Sequence, residues 1–122
     1  MILYIDTTDN DIVKIALEAR GNILASKEFS ARRQQSEKLL PEIDKILKAK
    51  KKKISDIKSI RVADQGGSFT SLRIGVVTAN ALGYALGIPV TGSLKTNKTK
   101  DIYIVKPVYD REPNITKKKA IQ

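Results

Sequence analysis

The sequence contains neither cysteine nor histidine among its 122 residues. Without cysteine, the chain can form neither a disulfide framework nor a thiolate metal site. Without histidine, it lacks the side chain that most often acts as a general base or binds a metal. The first six residues include no basic residue and end on an acid, Asp6, so they do not resemble a signal peptide. No apolar run is long enough to span a bilayer. By elimination, we expect a cytoplasmic protein that contacts no membrane.

Acidic residues are also scarce relative to basic ones. The chain has 23 Lys and Arg against 13 Asp and Glu, a formal net charge of +10. Such an excess favours an anionic partner such as RNA, although lysine-rich surfaces also arise from composition bias. Lys50, Lys51, Lys52 and Lys53 form one basic run. One interpretation of this run is a solvated helix end; the other is a contact with the RNA backbone.

The pattern of apolar residues predicts a single α/β domain with the element order β-β-β-α-β-α-β. The first three strands are joined by tight turns, with a hairpin signal at Arg20-Gly21-Asn22, so they should form an antiparallel meander. In the first helix, Ser36 is predicted to cap the first turn, and Pro41 should lie in that turn or kink the helix. The predicted strands cover residues 2–6, 12–17, 23–29, 60–63 and 101–109, and the helices about 34–50 and 69–86.

The second predicted helix is apolar on almost every side. A helix on the outside of a small domain normally shows one apolar face. This pattern therefore indicates either an ordinary core helix or a helix that meets a sheet on one side and another helix or a partner protein on the other. One face holds Leu72, Gly75, Val76, Ala79, Leu82, Gly83 and Leu86, and the other holds Ile74, Val77, Ala81, Tyr84 and Ala85.

Two loops carry candidate chemistry. Asp6-Thr7-Thr8 follows the first strand and suits either a phosphate-binding or Mg²⁺-binding corner or an Asx-type turn. The glycine-rich loop before the second helix resembles an anion-binding helix N-terminus, or else serves capping and tight packing. It is not a Walker loop, because no Gly-Lys-Ser/Thr follows. No Ser–His–Asp set is possible without histidine, so we expect no catalytic residue, no metal and no cofactor.

The segment Gly67-Ser68-Phe69-Thr70-Ser71-Leu72-Arg73-Ile74-Gly75 is similar to the GSFTGLRIG signature of the TsaB (YeaZ) family. The sequence departs from the family pattern at Gln65-Gly66, where the family has Gly-Pro, at Ser71, where it has Gly, and at Gln35, where it has His. Other segments also match the family, in the same order along the chain as in the family, at residues 5–8, 36–44, 86–90 and 107–113.

The resemblance implies an ASKHA fold (actin-like ATPase, RNase H-like) and a non-catalytic scaffold role in forming threonylcarbamoyladenosine in tRNA. Family members are longer and two-lobed. We therefore expect a short form, with a single lobe and a short C-terminal strand or arm at residues 1–113, a basic tail at 114–122, and the second lobe largely missing. The resemblance also implies pairing with a TsaD-like transferase through the two helices. A TsaE-like ATPase is expected in the complex, a homodimer when the partner is absent, and tRNA contact through the complex.

On this basis we predict which residues contact the partner and which support the glycine-rich loop. Gly75, Ala79 and Gly83 are small and four residues apart, so a partner helix could approach closely. Two rival functions remain: a stand-alone basic RNA-binding module, and a degenerate nucleotide-binding enzyme. The first is disfavoured because the sequence has no array of stacking aromatic residues, and the second because the opposing lobe is missing. The predicted interface is Leu39, Ile43, Leu72, Val76, Ala79 and Gly83, and the predicted loop supports are Asp6, Ser68, Thr70 and Arg73.

Overall fold

A computed structural model describes residues 1–9, 11–32, 34–66 and 69–92, with Phe69 by its backbone alone, and the backbone of residues 97–99 and 102–104. The elements are β1 (Ile2–Asp6), β2 (Ile12–Ala19), β3 (Asn22–Ser30), α1 (Gln35–Ala49), a 3₁₀ turn (Ile54–Asp56), β4 (Ser59–Val62), α2 (Phe69–Leu86), β5 (Val90–Thr91), β6 (Asn97–Thr99) and β7 (Ile102–Ile104). One five-stranded sheet has the strand order β3-β2-β1-β4-β5, and β6 and β7 form a separate antiparallel pair.

The first three strands form the predicted antiparallel meander, and β4 and β5 extend the sheet in parallel from β1. Arg20 and Gly21 have φ values of +55° and +78°, as a tight two-residue hairpin turn requires. Helices α1 and α2 each lead into a strand parallel to β1. Both helices therefore run antiparallel to β1 and parallel to each other. The predicted α/β fold class is confirmed.

The core lies between one face of this sheet and the two helices. Leu3 is in register with Leu17 of β2 and with Ile60 of β4, and all three side chains are 0% exposed. They belong to one apolar cluster with the buried residues of both helices. Burial of each such side chain contributes about 1.5–3 kcal/mol. The opposite face of the sheet carries polar contacts. Arg61 lies over the Tyr4 ring there and pairs with Glu18 at 2.7 Å.

Helix α1 begins differently from the prediction. Its N-cap is Gln34, which makes no side-chain capping bond, and the Gln34 carbonyl accepts the N–H groups of Glu37 and Lys38. Ser36 lies inside the first turn and is exposed, so the prediction that Ser36 caps the helix is wrong. Pro41 is an interior residue of α1 and is exposed. Its placement in the first turn is therefore wrong, and the alternative, a kink at Pro41, stays a prediction.

Helix α2 has the predicted bounds and a glycine stop. Gly87 has φ +68°, the Gly87 N–H donates to the Tyr84 carbonyl at 3.3 Å, and the Ile88 N–H donates to the Gly83 carbonyl at 3.0 Å. These are the bonds of a glycine-terminated helix end. No helix within the described ranges is both long and apolar enough to cross a membrane.

The C-terminal strands were only partly predicted. β7 falls inside the strand predicted at 101–109, whereas β6 lies in the polar stretch after Val90, where no strand was expected. β6 was not predicted because it is only three residues long and all three residues are polar. The family match at residues 107–113 and the predicted tail at 114–122 lie outside the described residues.

Candidate functional site

A buried polar cluster lies where β1 and β4 end and both helices begin. Thr7, Gln35, Asp64 and Ser71 are at most 6% exposed. The Thr7 hydroxyl donates to the Ser71 carbonyl at 2.5 Å and accepts the Gly75 N–H at 3.1 Å. Gln35 Nε2 donates to Ser71 Oγ at 3.1 Å. These bonds fasten the end of β1 and the start of α1 to the first turns of α2.

The carboxylate of Asp6 is used inside its own turn. Its Oδ1 accepts the backbone N–H of Thr8 at 2.9 Å and the Thr8 hydroxyl at 2.6 Å, while Oδ2 accepts the Tyr4 hydroxyl at 3.3 Å. Burial, followed by the charge and hydrogen bond of Asp6, raises the pKa of the Tyr4 phenol. Of the two interpretations of this corner, the structure therefore shows the Asx-type turn.

The next turn repeats this use of a carboxylate. Asp9 Oδ1 accepts the backbone N–H groups of Asp11 at 2.8 Å and Ile12 at 3.1 Å. These bonds favour the ionised form and lower the pKa of the Asp9 carboxyl. Both acids in this connection therefore stabilise the backbone that leads from β1 into β2.

Two of the predicted loop supports are at the surface of α2. Thr70 and Arg73 are exposed, and both line a surface groove of about 440 Å³ beside α1. Ser68 lies outside the described residues, as does Gly67. Loop support by Thr70 and Arg73 therefore stays a prediction. The remaining residues that line the groove are Ser36, Ile74, Val77 and Thr78.

The residues predicted to meet a partner lie inside this chain. Leu72, Val76 and Ala79 of α2 are at most 1% exposed and belong to the core cluster, as do Leu39 and Ile43 of α1. We call this buried side of α2 the inner flank. In this structure a partner cannot touch these five side chains. The physical reason is that the inner flank is the side of α2 that covers the sheet.

The small residues of α2 have the same explanation. A Cβ atom added at Gly75 would lie 2.5 Å from Thr7 Oγ1, and one added at Gly83 would collide with the side chain of Val90. The glycines thus let α2 approach the ends of β1 and β5 in its own sheet. The predicted use of this spacing, the close approach of a partner helix, is replaced by packing within the chain, and Gly83 leaves the interface with the other five residues.

The opposite side of α2 exposes apolar residues beside the polar Thr70 and Arg73. Val77 is 54% exposed and Tyr84 is 72% exposed, and Ala81 between them is also exposed. We call Val77, Ala81 and Tyr84 the outer flank. On α1, Leu40 is 51% exposed and lies one turn after Ser36, which already borders the groove with α2. Val77 borders the same groove, so exposed apolar residues of the two helices lie on either side of it.

Comparisons with known proteins agree with this fold. The chain is 30% identical over 114 residues to the tRNA threonylcarbamoyladenosine biosynthesis protein TsaB of Bacillus subtilis (strain 168), which covers 89% of this chain. A family model described as TsaD, tRNA N6-adenosine threonylcarbamoyltransferase, matches residues 22–93. The chain belongs to the TsaB/YeaZ family. The predicted resemblance is thereby confirmed, and the match to the TsaD model fits it.

Solved TsaB/YeaZ structures resemble the chain over three quarters of its length. YeaZ from Pseudomonas aeruginosa matches 75% of this chain with a TM-score of 0.68 and 27% identity, over 42% of its own length. A structure described as an uncharacterized protein with similarity to peptidase YEAZ from the same organism matches 75% with a TM-score of 0.69 and 27% identity, over 41% of its length. The chain spans 49% of the length of the B. subtilis relative.

Proposed function

We propose that the chain is a non-catalytic scaffold subunit of the machinery that forms threonylcarbamoyladenosine in tRNA. In this proposal it pairs with a TsaD-like transferase, and a TsaE-like ATPase joins the same complex. The process is supported by the function named for the B. subtilis relative. The mode of action is supported by the surface described above.

The outer flank is the observation that carries the proposal. Val77 and Tyr84 leave more than half of their side chains in water on one helix, and Leu40 does so on the other. Two parallel helices that lie on a sheet already form one layer, and a second pair of helices could cover their outer side. Each of these side chains is already partly buried, so covering its remaining exposed part would stabilise the complex by about 1–2 kcal/mol.

The polar cluster supports an accessory role over a catalytic one. The Thr7 hydroxyl both donates and accepts within the fold, and both oxygens of Asp6 accept bonds from residues of the same segment. A general acid or base must reach the proton that it transfers. Thr7 is instead occupied in holding the end of β1 against α2, and Asp6 in fixing its own turn.

Val77→Glu in the full chain tests the pairing surface. A carboxylate in a desolvated helix contact costs several kcal/mol, so affinity for the TsaD-like partner should fall about a hundredfold or more. Stability should change by only about 0.5 kcal/mol, because Val77 is exposed in the free chain. Circular dichroism and melting would establish the fold, and size-exclusion co-elution with titration would measure pairing.

Ile54→Glu is the matched control. Ile54 is 44% exposed in the 3₁₀ turn before β4, so the same charge is placed on an exposed apolar residue away from the outer flank. This variant should pair as the wild type does. Pairing through the outer flank would be contradicted if Val77→Glu and Tyr84→Glu both fold and pair normally. Failure of the wild-type chain to pair would contradict the proposal that a TsaD-like transferase is its partner.

A further inference from the structure

Basic residues from several segments gather at one end of the sheet. β2 ends and β3 begins at the end where β1 starts, and α1 finishes there before β4 begins. We call this region the basic end. Its exposed cationic residues are Arg20 in the hairpin turn, Lys48 in the last turn of α1, Lys50, Lys51, Lys52 and Lys53 after that helix, and Lys58 before β4.

Contacts between these segments hold the charges close together. A surface groove of about 620 Å³ is lined by Arg20 and Asn22 from the hairpin, by Lys52 and Asp56 from the connection after α1, and by Glu18 of β2. The backbone N–H of Lys58 donates to the Met1 carbonyl at 2.8 Å, which brings this lysine beside the start of β1. The basic end is therefore built by the tertiary fold and extends beyond the lysine run.

Nearby acids offset only part of the positive charge of the basic end. Asp44 pairs with Lys48 at 2.9 Å, and Glu18 pairs with Arg61 at 2.7 Å. The Asp56 carboxylate accepts the backbone N–H of Lys53 at 2.8 Å. All four lysines of the run are exposed, and none of the ion pairs found within the described ranges includes one of them. The surface thus presents a concentrated positive potential to solvent.

We propose that the basic end binds the sugar–phosphate backbone of RNA without reading its bases. Lysine ammonium groups on flexible stems suit phosphates at varied spacing, and counterion release drives such binding. Among the residues whose side chains the structure describes, the one exposed aromatic residue is Tyr84, which belongs to the outer flank of α2. The basic end therefore favours phosphate contact over base stacking. The choice of RNA over another polyanion rests on the proposed function in tRNA modification.

A triple variant tests this proposal in the full chain. Lys50→Gln, Lys52→Gln and Lys53→Gln together remove three charges. Lys51 is kept because its backbone φ of +57° is unusual for a residue other than glycine. The matched control is Lys14→Gln, Arg32→Gln and Lys45→Gln, which removes three charges from other exposed positions. Fluorescence anisotropy of a labelled tRNA transcript at several salt concentrations would measure affinity, and melting would confirm that both variants fold.

The two triple variants should behave differently. Three lost phosphate contacts should lower affinity about a hundredfold at about 0.1 M salt and flatten the slope of log K against log salt by about two. The control should change affinity only a few-fold and keep most of the slope. Equal losses in the two variants would show a simple net-charge effect and overturn the proposal.

Two further measurements identify the partner and separate this proposal from the pairing function. Tighter binding of the wild-type chain to anionic phospholipid vesicles than to the transcript would assign the surface to a membrane and overturn the RNA proposal. Lack of transcript binding by the wild-type chain would also overturn it. Co-elution with the TsaD-like partner tests pairing separately, and we expect the triple variant to retain it.

Discussion

The two flanks of α2 have similar apolar composition and different environments. Val76 on the inner flank is 1% exposed, whereas the next residue, Val77, is 54% exposed. The inner flank is held by the sheet and by the bonds of Thr7. The described residues leave Val77 and Tyr84 of the outer flank exposed. Apolar character in a helix therefore does not by itself say which side the chain buries, and the position of the sheet decides this.

The largest effect that distinguishes the flanks is expected for Val76→Glu. A carboxylate placed in the core should be protonated or should disrupt packing, at a cost of about 3 kcal/mol or more. Urea unfolding of Val76→Glu beside Val77→Glu gives the contrast, since the second variant should stay within about 0.5 kcal/mol of the wild type. Similar stabilities for the two variants would mean that the flanks are misassigned.

The second prediction concerns what holds the inner flank in place. Thr7→Val preserves the shape of the side chain but removes the hydroxyl that bonds Ser71 and Gly75. Leaving these buried backbone groups unsatisfied should cost about 1–3 kcal/mol. Thr78→Val, at a partly exposed position in the groove, is the control and should cost less than about 0.5 kcal/mol. Equal costs in urea unfolding would contradict the role assigned to Thr7.

The smallest effect on stability is expected for the ion pair between α1 and β3. Glu42 contacts Lys27 of β3 at 2.5 Å, and this hydrogen bond is the main reason that the pKa of Glu42 lies below its ordinary value of 4.5. Because the pKa is lower in the folded state, the pair stabilises the fold above pH 4.5 and the effect is lost as pH falls through the lowered pKa.

Glu42→Gln should therefore lower stability by about 0.5–1 kcal/mol at neutral pH, and the difference from wild type should shrink under acidic conditions. Chemical unfolding between about pH 3 and pH 7 would measure this. A difference that stays constant across this range would show that Glu42 acts through packing and that its charge contributes nothing.

Local patterns in the sequence were sufficient to predict much of the fold. Periodicity located α2, alternation located the first strands, and Gly87 marked the end of the helix. Signals at α1 were weaker, because Ser36 looks like a cap in sequence while the chain already enters the helix before it. Pro41 is tolerated in the helix interior, where its ring is exposed, and no local rule predicts that.

The candidate site was less predictable because it depends on which elements meet. The apolar pattern correctly indicated that α2 has two apolar sides, but helical periodicity gives only angles about the axis. The spacing of Gly75 and Gly83 fits a partner helix and a close sheet equally well, and only the contacts with Thr7 and Val90 distinguish them. Thr7 was considered only as part of the corner after the first strand, since nothing local links it to residue 75.

The absence of cysteine from the wild-type sequence allows the central claim to be tested directly by single-cysteine labelling. Val77→Cys, Ala79→Cys and Ile54→Cys report the outer flank, the inner flank and the 3₁₀ turn. The rate of reaction with a maleimide would be measured for the full chain alone and with the TsaD-like partner in excess. Exposure governs such rates, so Val77→Cys and Ile54→Cys should react quickly in the free chain and Ala79→Cys slowly.

With partner present, Val77→Cys should be protected at least tenfold, while Ile54→Cys should react as before and Ala79→Cys should stay slow. That pattern would show that the partner covers the outer flank and that the inner flank belongs to the core. Fast labelling of Val77→Cys in a complex confirmed by co-elution, or fast labelling of Ala79→Cys in a folded free chain, would contradict the account.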